Sequence, residues 1–270
     1  MNTPAEIREI WVANGMKKAD LPAYKMILLG ILAGVYIGLG AHAFLIATSA
    51  GETGFEIMLA KLIGAGLFPV GLMLVIFCGA ELFTGNNLLT LALLDKKITV
   101  GAMLKNWIIV YAANLAGGII LAQLLAKSGI YAGAAGERAI AVAVSKTETS
   151  FTELLIRGIL CNMLVVLACW FQAGAKSMAG KIFAVWFPIM LFVFAGFEHS
   201  VANMYYITGG LFAKAVPAYA AAALEAGIDL SALTWGSFLL GNLLPVTLGN
   251  LIGGCAVGAA YWFCYLRKQK

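Results

Sequence analysis

"GAELFTGN" at residues 79–86 and "GFEHSVAN" at 196–203 decide how this chain folds. Each octet places a carboxylate and an amide at the end of a long apolar run, and the two share Gly at the first position, Glu at the third and Asn at the eighth. The sequence around them is 62% hydrophobic and 11% charged, with a mean hydropathy of +0.92. A chain of 270 residues with that composition cannot hide its apolar surface in a water-soluble globule, so it is expected to be an integral membrane protein.

Apolar runs fall at roughly 26–48, 57–80, 102–126, 154–174, 183–197 and 234–264. Most are long enough for a span of ~20 residues, which predicts six transmembrane helices. The first 25 residues carry Glu6, Arg8 and Glu9 and no apolar core before Tyr24, so the first span itself is expected to direct insertion. Within 1–25, Ile7, Ile10 and Trp11 recur at helical spacing with charges on the other face, the pattern of an amphipathic helix lying on the membrane surface. The expected organisation is therefore this segment, a channel domain over 26–265, and a short tail at 266–270. Of 18 basic residues, twelve (Arg8, Lys17, Lys18, Lys25, Lys96, Lys97, Lys105, Lys176, Lys181, Arg267, Lys268 and Lys270) lie on one side of a six-span arrangement. Lys61, Lys127, Arg138, Lys146 and Lys214 lie on the other, and Arg157 just inside the fourth span. The positive-inside rule then places both termini in the cytoplasm, and the net charge of +5 gives no reason to invoke nucleic acid.

Repetition extends beyond the octets. Asn106 and Asn114, followed by "LAGG", match Asn242 and Asn250, followed by "LIGG", and "GIL" recurs at Gly30 and Gly158. Three spans followed by three more run in opposite senses through the bilayer, which is the inverted-repeat plan of many channels and transporters. Glycine and polar residues at the octets predict that helices 2 and 5 are broken, since irregular backbone at that depth persists only under cover of protein or beside a cavity. Glu81, Asn86, Glu198 and Asn203 are expected to support these breaks by satisfying freed backbone donors. Asn114 and Asn250 could bind backbone or line an axis of an oligomer; both roles are open. The five cysteines sit in apolar runs without metal-ligand spacing and read as small buried hydrophobes.

Four stretches, "ELFTGN" (81–86), "CNMLVVLACW" (161–170), "GFEHSVANM" (196–204) and "VTLGNLIGG" (246–254), together resemble the formate/nitrite transporter family, over nearly the whole chain. The resemblance implies an all-α, aquaporin-like membrane fold and a homopentamer with one pore per protomer, in a bacterial or archaeal cell (inner) membrane. It also implies a small monovalent anion as substrate, with formate favoured over nitrite or hydrosulfide. It places Thr84 and His199 near the pore centre and Lys146 in the outer vestibule.

Read on their own, these residues carry part of that picture. His199 is one of only two histidines, and an ionisable group at membrane depth beside Glu198, Ser200 and Asn203 marks a pathway. Thr84 occupies the opposite break. Ser150 and Glu153 form a capping box after Lys146. Phe83 and Phe192 are candidate apolar constrictions, and Asn162 is either a structural amide or pore-adjacent. Burying a bare anion costs several kcal/mol even after relaxation, whereas protonating an acid with a pKa of about 3.5 at pH 7 costs about 5 kcal/mol and removes the charge. The weak acid is therefore expected to cross the apolar zone neutral, by passive or proton-coupled transport, with His199 either giving the proton or only hydrogen-bonding. No cofactor loop, nucleophile motif or metal spacing supports an enzyme. The alternative is a neutral-solute channel of aquaporin type, but its paired Asn-Pro-Ala signature is absent from the octets.

Overall fold

The computed structural model describes residues 1–50 and 53–265, and the regular structure among them is helical. Arg267, Lys268 and Lys270, part of the topology argument, and the expected tail at 266–270 lie outside the described residues. Helix α1 (Pro4–Ala19) starts at a Thr3–Glu6 capping box with Pro4 in its first turn, where a missing N–H costs nothing. Its apolar face is not turned to lipid as the sequence suggests. Ile7, Trp11 and Val12 pack against Leu88, Leu91, Val166 and Trp170, and Arg8, expected among the solvated charges, is buried and paired with Asp95 and Glu9.

The first three-span unit follows as α2 (Ala23–Ala47), α3 (Gly54–Leu67) with α4 (Pro69–Cys78), the short α5 (Leu89–Leu94), and α6 (Val100–Lys127). The second consists of α7 (Ala134–Glu148), α8 (Phe151–Gly174), α9 (Met178–Ala195), α10 (Ser200–Lys214), α11 (Pro217–Glu225), a π-helical turn over Ser237–Leu243, and α12 (Leu244–Cys264). Six helical stretches, with α3 and α4 as one and the π turn joined to α12, are long and apolar enough to cross a membrane. The chain is thus a multi-pass membrane protein, and the fold is the expected pair of inverted three-helix units. Helix α7 matches α1 in order, as α8 matches α2.

Both breaks fall at the octets. Helices α4 and α9 end at Gly79 and Gly196, with φ of +77° and +79°, a left-handed conformation that glycine adopts without a Cβ clash. The backbone then runs irregularly to a 3₁₀ turn (Gly85–Leu88) leading into α5, and on the other side to α10, whose residues 200–210 are all buried. Helix α10 bends 100° into α11. The half-helices after the breaks therefore sit inside the helical ring.

Candidate functional site: a waist between two vestibules

Asn114 and Asn250 hold the breaks in register. Asn114 Nδ2 donates to the carbonyls of Gly30 (2.8 Å) and Glu81 (2.9 Å), and its Oδ1 accepts the Phe83 N–H at 2.9 Å. Asn250 Nδ2 donates to Gly158 (2.8 Å) and Glu198 (2.9 Å), and its Oδ1 accepts the Ser200 N–H at 2.9 Å. Each asparagine thus replaces backbone partners that the interrupted helix cannot supply. Both spend all these groups on backbone, which resolves the open choice in favour of that role. It also corrects the part expected of Glu81, Asn86, Glu198 and Asn203, whose side chains bond to one another and to lysines instead.

On the α7 side, Lys146 Nζ donates to both carboxylate oxygens of Glu198, at 2.8 and 2.9 Å. Glu198 Oε2 also accepts Asn203 Nδ2 at 2.6 Å, Asn203 reaches Asn242 Oδ1 at 2.8 Å, and Asn242 Nδ2 returns to the Lys146 carbonyl at 2.8 Å. The α1 side repeats this loop residue for residue. Lys18 Nζ donates to Glu81 Oε1 (2.6 Å), Asn86 Nδ2 to Glu81 Oε2 (2.7 Å) and Asn106 Oδ1 (2.8 Å), and Asn106 Nδ2 to the Lys18 carbonyl (3.1 Å). Lys18 is a site residue that the sequence reading missed. Its signal was the repeat itself, because Lys18 and Lys146 precede Gly30 and Gly158 by the same interval.

Three cavities lie in series between these loops. One of about 240 Å³ is bordered by Trp11, Lys18, Glu81, Leu82 and Asn86, and one of about 120 Å³ by Lys61, Lys146, Glu198, His199 and Tyr206. Between them is a void of only about 10 Å³, lined by Ile37, Phe68, Leu72, Leu82, Val165, Ile189, Phe192 and His199. Leu72 and Leu82 border both the void and the α1-side cavity; Phe68, Phe192 and His199 border both the void and the α7-side cavity. The void is barely large enough for one water. His199 is its only polar lining residue.

The imidazole is fixed by two bonds. As N-cap of α10, Nδ1 accepts the Ala202 N–H at 3.1 Å, and Nε2 lies 2.8 Å from Thr84 Oγ1 in the opposite break. An acceptor at Nδ1 places the proton of a neutral ring on Nε2, which donates to Thr84; the tautomer is assigned from this bonding. Thr84 is fully buried and touches the path only through His199. Phe192 lines the waist, with its ring edge-on to Phe68 at 5.5 Å. Phe83 does not line these cavities. Its ring packs against Tyr111 at 4.8 Å and Trp107 at 6.4 Å, and the preceding residue, Leu82, occupies the constriction. Asn162 lies behind the path, where Nδ2 bonds Asn87 Oδ1 and the Asn250 carbonyl, both at 2.7 Å. Among the described residues no three His, Cys, Asp or Glu side chains converge on a metal position.

A family model described as formate/nitrite transporter matches residues 5–263. The chain belongs to that family. A relative named uncharacterized transporter YrhG, from Bacillus subtilis (strain 168), is 41% identical over 99% of this chain and 95% of its own length. The formate channel FocA of Escherichia coli (strain K12) is 38% identical over 98% and 95%. Among solved structures, a pentameric formate channel with formate bound superposes with a TM-score of 0.80 at 33% identity, covering 91% of this chain and 98% of that one. Family membership thus joins the inverted repeat to relatives that are transporters and channels.

Proposed function

We propose that this family member is a channel for a small monovalent anion of a weak acid, with formate favoured, and that the acid crosses the waist in its neutral form. The observation that carries the reading is the void of about 10 Å³ between two lysine-bearing vestibules, closed by leucine and phenylalanine and offering one polar ring. An anion in either vestibule meets a lysine ammonium and the N–H end of a half-helix, both of which favour negative charge. At the waist no ammonium lines the void, so desolvating the charge becomes the larger cost and uptake of a proton the smaller one. The carboxylate takes that proton from water on entry and returns it on exit. His199 serves as a polar wall held by Ala202 at Nδ1 and Thr84 at Nε2: with Nδ1 engaged, a second ring proton would oppose a backbone N–H.

Formate is favoured because channel relatives at 38% identity carry that name and a similar solved structure holds formate. The same solved structure supports a homopentamer with one path in each protomer. The described lysines and arginines cluster on the α1 side, which supports cytoplasmic termini in a bacterial or archaeal cell membrane. Uptake of formate, nitrite, hydrosulfide, acetate and lactate by proteoliposomes across external pH tests the reading. Formate flux that rises as pH falls is expected; glycerol flux without anion uptake would overturn it in favour of a neutral-solute channel.

A further inference from the structure

The lysine that holds Glu198 is poorly placed to attract an anion from a distance. Lys146 and Glu198 form a two-oxygen ion pair at 2.8 and 2.9 Å, so their charges cancel beyond a few ångströms and leave a dipole. Lys18 and Glu81 cancel in the same way on the α1 side. The α7-side vestibule, however, has a second cation in its wall. Lys61, half-buried on α3, lines this cavity, and its Nζ lies 5.5 Å from the centroid of the Phe194 ring. Among the described residues no carboxylate comes within ion-pair distance of it. The α1-side vestibule has no counterpart: Met178, as far before Gly196 as Lys61 is before Gly79, is a thioether, and Lys18 is that cavity's only charged lining residue besides Glu81.

We infer that Lys61 is the steering charge of the channel, a residue that sets anion preference at the α7-side mouth and leaves the α1-side mouth without an equivalent. This rests on the reading of the chain as an anion channel. Its physical basis is a net charge on a concave wall of low-dielectric rings, Phe44, Phe68, Phe192 and Tyr206, which focus its field into the cavity. Arg138, a further cation on α7, is engaged with Thr48 Oγ1 at 3.2 Å and does not line the cavity.

The test uses a readout that does not depend on transport. In a background where the exposed Cys78 and Cys264 are serine, Val142→Cys puts a thiol in this vestibule. Its reaction rates with a sulfonate-bearing and a trimethylammonium-bearing methanethiosulfonate report the local potential. Lys61→Met, which keeps the stem over Phe194, should lower the anionic-to-cationic rate ratio about threefold to tenfold at low ionic strength, while Lys61→Arg should retain it. At about 0.5 M inert salt, where screening acts within a few ångströms, the Met and Lys proteins should converge. An unchanged ratio in Lys61→Met, or a change that persists in high salt, overturns the assignment. Formate uptake by the wild-type protein, measured alongside, judges the channel reading separately.

Discussion

At His199 the backbone decides the chemistry, because the ring nitrogen that accepts the Ala202 N–H cannot also carry a proton toward it. His199→Asn separates the two roles open to this residue: an asparagine oxygen can cap α10 in the same way, but the Nε2–H bond to Thr84 that holds the ring at the waist is lost. Formate uptake should fall about tenfold, the equivalent of one hydrogen bond of ~1.4 kcal/mol, while its slope against external pH stays as in the wild type. A flattened slope would show that the imidazole passes the proton. The position of His199 and Phe192 beside the cavities was legible from residue type and depth, and that of Lys146 only through the family resemblance. Phe83 was not. Period-based reasoning assigns faces to helices and strands, and residues 80–83 belong to neither, so the direction of each side chain there is set by Asn114 from another span. The partners of Glu81 and Glu198 were illegible for the same reason, since Lys18 and Lys146 reach them from separate helices.

Among the elements, the tightest contacts pair α2 with α6 and α8 with α12, and the "NLAGG" and "NLIGG" steps explain them. A Cβ on Gly117 would meet the Ile31 carbonyl, and one on Gly253 the Ile159 carbonyl, the corresponding atom of the other unit. Backbone is on both sides of these contacts, so neither can yield by a side-chain rotation. Gly253→Ala should destabilise the protein by about 1–3 kcal/mol, read as a lower unfolding temperature in detergent, and Gly117→Ala by a similar amount. Half-buried Gly66, with nothing near its Cβ position, is the control: Gly66→Ala should be neutral or slightly stabilising. The spans and their pairing could be read from apolar runs and repeated motifs. The π turn could not. Thr99 and Gly101 precede Asn106 by one residue less than Thr234 and Gly236 precede Asn242, and the second unit absorbs its additional residue as the wide turn at Ser237–Leu243. Hydrophobic periodicity is too coarse to register one inserted residue within a span.

For the whole molecule, the inverted repeat means that each vestibule carries the same lysine–glutamate–asparagine loop, and that neither loop adds net charge. Removing one partner differs from removing both. Lys146→Gln leaves Glu198, whose side chain is 8% exposed, as an unpaired carboxylate facing the cavity. Such a charge repels the substrate as well as destabilising its own site, an effect of several kcal/mol for buried pairs. The double variant Lys146→Gln with Glu198→Gln restores neutrality and keeps hydrogen-bonding groups next to Asn203. Formate uptake should therefore fall more than tenfold in Lys146→Gln and recover substantially in the double variant, and the same cycle on Lys18 and Glu81 should give a coupling of the same sign. Additive losses around either cycle would mean that the lysine acts on the anion directly, and that the two loops are not balanced pairs. A coupling on one side only would confine the symmetry to the backbone and its two break-spanning asparagines, leaving the vestibules to work by different means.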